Sequence, residues 1–154
     1  MLAKISSKVL PALALLVFVT LSAHAEGKLD IVGKFMSGGT EVDLATYTDG
    51  TQKVGLLGLK KDQVRMSVAF GPDEWNSLIR LWDKGTTMQS ENWQFVGSYK
   101  ETDTKLSTLL LMTAGPGVQF IVVDPDKTGT VVLSKGDFDK FEADLHEVQE
   151  YLSH

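Results

Sequence analysis

The chain has 154 residues, 43% of them hydrophobic, enough for a core, and carries 15 basic against 20 acidic side chains for a formal charge of −5. It has no cysteine, which excludes disulfides, thiol catalysis and a lipoprotein anchor. An acidic balance is the wrong sign for neutralising phosphates, so the sequence predicts no nucleic-acid partner.

The first element is a leader. Lys4 and Lys8 precede an apolar stretch from Val9 to Leu21, followed by Ala23-His24-Ala25 with small residues where a signal peptidase reads. The stretch is 13 residues long, and a membrane span needs roughly 20. The sequence therefore predicts cleavage after Ala25, no membrane span in the remaining chain, and a periplasmic or secreted location. Removing Lys4 and Lys8 leaves 13 basic and 20 acidic residues, a charge of −7, divided unevenly: −1 over residues 26 to 90 and −6 over 91 to 154.

From Leu29 onward apolar and polar residues alternate: Leu29, Ile31 and Phe35; Val42, Leu44 and Thr46; Val54 and Leu56; Val64, Met66, Val68 and Phe70. Period two predicts half-buried strands, and Ser37-Gly38-Gly39, Asp49-Gly50 and Lys60-Lys61-Asp62 supply the turns between them. At Pro72 the period changes. Proline suits a first helical turn, Asp73 and Glu74 favour its positive end, and Trp75, Leu78, Ile79 and Trp82 recur at helical spacing before Gly85.

The second half repeats the order. Trp93, Phe95 and Tyr99, then Leu106 to Met112, Val118 to Val123 and Thr130 to Leu133 read as four strands, with Ala114-Gly115-Pro116-Gly117 and Asp124 to Gly129 as turns. A helix opens at Ser134, with Asp137 placed to complete the cap and an apolar stripe of Phe138, Phe141, Leu145, Val148 and Leu152. Trp75, Leu78 and Trp82 align with Phe138, Phe141 and Leu145 at an offset of 63, and Gly33 and Phe35 with Gly97 and Tyr99 at 64. The fold class is α+β: two tandem units, each an antiparallel meander of about four strands followed by one helix, spanning residues 26 to 88 and 89 to 154 and forming one domain behind the signal peptide of residues 1 to 25.

Two units of four strands and a helix, joined as in Ser67-Val68-Ala69-Phe70-Gly71-Pro72-Asp73-Glu74-Trp75, resemble the positive-cofactor and whirly group of single-stranded-DNA-binding transcriptional regulators. The resemblance implies two units packed through their helices. That group binds nucleic acid on strand faces rich in basic and aromatic residues, which an acidic, exported chain does not match, so only the shape carries over.

Lys60, Lys61 and Arg65 make the one basic concentration, suited to an anionic partner or to guarding a strand edge against pairing. Trp93 is the aromatic expected at the surface, whereas Trp75 and Trp82 belong to the core. Leu109-Leu110-Leu111-Met112 and Phe120-Ile121-Val122-Val123 are apolar on both faces, so this hairpin should be covered on both sides. Leu109, Leu111, Ile121 and Val123 are its candidates for self-association. Asp124-Pro125-Asp126-Lys127-Thr128-Gly129 opens like a calcium loop, but Lys135 stands where the closing glutamate belongs, so it reads as a turn. Glu142, His146, Glu150 and His154 recur every four residues beside the apolar stripe and read as a solvated face, not a metal site. No cofactor is expected. The sequence expectation is thus an exported, non-enzymatic interaction protein binding another protein or itself as a homodimer, with a lipid or anionic-ligand carrier and an enzyme of unrecognised type as alternatives.

Overall fold

Strands β1 (Lys28–Ser37), β2 (Thr40–Asp49), β3 (Gln52–Lys61) and β4 (Val64–Phe70) form one antiparallel sheet in sequential order, followed by helix α1 (Pro72–Thr87). Strands β5 (Gln94–Lys100), β6 (Thr108–Ala114), β7 (Gly117–Val123) and β8 (Thr128–Ser134) form a second sheet of the same order. A single 3-10 turn, Lys135–Asp137, then leads into helix α2 (Phe138–Ser153). This is a computed structural model that describes residues 27 to 88, 90 to 100, 107 to 115 and 117 to 154; the proposed leader lies outside the described residues, as do Leu106 and Pro116. The α+β class and the two tandem meander-and-helix units match the sequence expectation.

The turns obey local chemistry. Gly38, Gly39 and Gly50 take positive φ at the β1–β2 and β2–β3 tips, and Asp62 does so, at φ 54, between β3 and β4. Helix α1 starts at a proline with Asp73 and Glu74 in its first turn, where the helix dipole favours negative charge. The opening of the second helix differs from the capping expected of it. Ser134 Oγ donates to the Asp137 carboxylate at 3.1 Å and accepts no capping bond from a backbone N–H, and one tight turn intervenes before α2.

Both units carry the same irregularity. The β1–β2 register slips between Ile31 and Gly33, and the β5–β6 register between Phe95 and Gly97, so each unit has a β-bulge beside a glycine at an offset of 64. The glycines serve one purpose, because a side chain on Gly33 would strike Asp144 of α2 and one on Gly97 would strike Leu81 of α1. The positions 81 and 144 differ by 63. Each helix therefore lies against the other unit's sheet, and the two units are related as near copies.

That exchange builds one core. Phe35, Leu44, Leu57, Val68 and Phe70 from the first sheet, Leu109, Leu111, Phe120 and Leu133 from the second, and Trp75, Trp82, Phe141 and Leu145 from the helices are all buried together. Phe141 packs at 5.3 Å from Phe35, 5.3 Å from Phe120 and 4.6 Å from Trp82, so one ring touches both sheets and the other helix. The Trp75 indole N–H donates to the Leu145 carbonyl at 2.9 Å, which fastens one helix to the other.

Candidate nucleic-acid interface

The two sheets share an inner face but differ on the outer one. In the first sheet Ala45, Tyr47, Leu56 and Ala69 form a second buried cluster with Leu29 and Val54 against it. Further along that face Asp43 is buried, and the burial, reinforced by neighbouring Glu41, pushes its carboxyl above the usual carboxylate range despite Lys34 at 3.8 Å. Tyr47 Oη is buried and unpartnered among the described residues, and its pKa is likewise raised by burial.

The outer face of the second sheet is open. Its cross-strand pairs set out three rows: Phe95, Met112, Gln119 and Val132; Ser98, Leu110, Ile121 and Thr130; Lys100, Thr108, Val123 and Thr128. Seven residues along four strands give a surface about 20 Å long and about 14 Å wide. Phe95 is 58% exposed and Trp93, just before β5, 42% exposed. The aliphatic members are half-buried, and Lys100 is the one charged residue in the three rows.

This corrects the expectation that the doubly apolar hairpin is covered on both sides. Leu109 and Leu111 are fully buried in the shared core, whereas Ile121 and Val123 lie on the opposite, open face. Strand alternation separates the four candidates into two pairs, because facing residues of β6 and β7 share a side. The surface neighbours of Ile121 and Val123 are instead Leu110 and Met112, which the run of consecutive apolar residues concealed.

Lys60, Lys61 and Arg65 gather at the β3–β4 hairpin, where Lys60 pairs with Arg65 across the strands. The structure adds Lys127, whose ammonium donates to the Arg65 carbonyl at 2.8 Å. Its position in an Asp-rich turn gave no signal of this. Lys61 of this group lines a cleft of about 240 Å³ together with Thr40, Leu59, Asp62, Val64, Met66 and residues 128 to 130, so this end of the first sheet abuts the start of β8. Asp62, Asp124 and Asp126 share that neighbourhood, and Asp124 is engaged by the Ser107 hydroxyl at 2.7 Å and by its own turn. The two other lysines near in sequence lie elsewhere: Lys34 faces Glu41 and Asp43, and Lys53 reaches Tyr151.

At the other end of the second sheet a cleft of about 390 Å³ opens between the end of α1, the β6–β7 turn and the 3-10 turn, with Ser90 and Glu91 in its lining. The stripe of Glu142, His146, Glu150 and His154 is exposed along α2, with His146 bonded to Gln149 at 3.0 Å. Among the described residues no group of three or more His, Asp or Glu side chains is placed to hold a metal.

No family model and no curated protein matches the sequence. Among solved structures the chain is similar in fold to the plant transcriptional regulator PBF-2, with a TM-score of 0.53 and 9% identity over 81% of this chain and 82% of that one. The fold resemblance read from the strand-helix order is therefore shown. The likeness also corrects the expectation of an interaction protein with no nucleic-acid partner, since the neighbour that shares this fold is a transcriptional regulator. The physical fault lay in using a whole-chain charge. Six acidic residues, Asp137, Asp139, Glu142, Asp144, Glu147 and Glu150, stand on α2 or just before it, while the open face has none.

Proposed function

We propose that this chain binds single-stranded nucleic acid on the open face of its second sheet. The observation that carries the reading is a sheet face without acidic residues, with exposed Phe95 and Trp93 at one corner and Lys60, Lys61, Arg65 and Lys127 beyond the other end. Aromatic rings stack on bases of any sequence, and a cationic border holds the backbone. The fold likeness to a transcriptional regulator supports the same class of ligand. The reading is of a binder with no chemical step.

Fluorescence anisotropy of labelled single-stranded DNA across a salt series tests it. Four phosphate contacts give a slope of log K on log salt of about −3 for a single strand. Replacing Phe95 with alanine removes about 1–3 kcal/mol of stacking, while His146→Ala on α2 leaves binding unchanged. No binding at low salt, or a Phe95→Ala protein that binds like the parent, refutes the proposal.

A second reading, a homodimer through this face, is favoured by its five half-buried side chains Leu110, Met112, Ile121, Val123 and Val132. Light scattering that finds a dimer, abolished by Ile121→Lys, supports it, and a monomer at high concentration rejects it. Removal of the leader after Ala25 is a separate proposal: a purified protein beginning at Glu26 supports it and one beginning at Met1 refutes it.

A further inference from the structure

The three rows of the open face repeat one chemical pairing. In the middle row Leu110 and Ile121 face each other across β6 and β7, flanked by Ser98 and Thr130 on the outer strands. The first row sets Met112 beside Gln119, and the third sets Val123 beside Thr108 and Thr128. Each row thus joins a half-buried aliphatic or thioether side chain to a hydroxyl or an amide, and the rows follow one another about 7 Å apart along the strands.

Bases differ in what they ask of such a surface. Cytosine, adenine and guanine each carry an exocyclic amine, whereas thymine carries a methyl group and a carbonyl acceptor on the corresponding edge. The specific partners of the other three are a carboxylate for cytosine, an amide for adenine and an arginine or lysine for guanine. The three rows hold no carboxylate and no arginine, one amide in Gln119 and one cation in Lys100. An amine laid on half-buried aliphatic surface gives up its hydrogen bonds to water, while a methyl group laid there gains by leaving water. Hydroxyls able to donate to the thymine O4 stand beside that surface in two of the rows, and the Gln119 amide does so in the other.

Resting on the proposed single-strand reading, we infer that the open face selects thymine, packing the base methyl on Leu110, Met112, Ile121 and Val123 and donating to O4 from the polar groups beside them. RNA carries uracil, which lacks the methyl, so the same contact makes the face favour DNA over RNA.

Fluorescence anisotropy with three homopolymers of one length, oligo-dT, oligo-dU and oligo-dC, at a single salt concentration tests this. The dT and dU strands share sugar and phosphates and differ by one methyl per base, so cationic contacts weigh on both alike. Full burial of one methyl strengthens binding about fourfold, and partial burial in each row makes oligo-dT about tenfold tighter than oligo-dU, with oligo-dC also weaker than oligo-dT. Ile121→Thr, at a half-buried surface position, narrows the ratio of dT to dU affinity while oligo-dU binds nearly as before, and His146→Ala keeps the ratio of the parent. Oligo-dU or oligo-dC bound as tightly as oligo-dT, or a ratio unaltered by Ile121→Thr, overturns the inference and leaves the single-strand reading intact. No binding of any of the three strands overturns both.

Discussion

The two sheets have the same strand order, the same antiparallel register pattern and the same bulge, yet their outer faces have opposite fates. The first sheet buries its outer face around Ala45, Tyr47 and Leu56, while the second leaves Phe95 more than half exposed above half-buried Met112, Leu110 and Ile121. A duplicated scaffold therefore does not duplicate its surface. The shared inner faces supply the common core, and the two outer faces are not needed for it.

The sharpest break of this comparison is at the ring that serves both sheets. Phe141→Ala is expected to cost about 3–5 kcal/mol and to unfold both sheets in one transition, because Phe141 touches Phe35, Trp82 and Phe120. Denaturant titration read by far-UV circular dichroism and by tryptophan fluorescence checks this, and two separated transitions would show that the sheets have independent cores.

A smaller effect tests how alike the two copies are. Gly33→Ala drives a methyl group into the Asp144 side chain, whose Cγ lies 2.8 Å and Cβ 3.2 Å from the added atom and whose carboxylate is already held by Lys140 at 2.6 Å. Gly97→Ala meets only the methyl tip of Leu81, with the next carbon 3.8 Å away. The first substitution should cost about 1–3 kcal/mol by overpacking and the second clearly less; equal losses in melting temperature would contradict the geometry.

The smallest effects sharpen the contrast on the closed face. Tyr47→Phe removes a buried hydroxyl that has no partner among the described residues and should be neutral or stabilising by about 1 kcal/mol. Asp43 has its pKa raised in the fold, so between its unfolded and folded values the native state holds the extra proton and stability falls as pH rises. Asp43→Asn should flatten that part of the pH profile, measured by thermal melts from acid upward; an unchanged slope would show that the carboxyl is not strained by burial.

The fold was legible in the sequence because each unit changes period once, from two to 3.6, at Pro72 and near Ser134. The faces were less so. Leu29, Ile31 and Phe35 read as one alternating stripe, as do Trp93, Phe95 and Tyr99, but each bulge places two residues opposite one and reverses the parity. Phe35 and Tyr99 consequently belong with the core while Ile31 and Phe95 are exposed. A pattern of apolar positions cannot reveal an inserted residue. The basic end was half legible: Lys60, Lys61 and Arg65 adjoin in sequence, but Lys127 reaches them only because β8 packs against β3. The open face itself emerged from register, since its twelve residues are spread over four successive strands and are brought into rows only by the cross-strand pairing.

The most direct test of the binding surface is a methyl NMR titration of the whole protein with single-stranded DNA. Shifts concentrated at Leu110, Met112, Ile121 and Val132, with Leu56 on the closed face and Val148 on α2 unmoved, are the expected result. Shifts centred on the first sheet or on α2, or none at all, would contradict the assignment of the open face as the nucleic-acid surface.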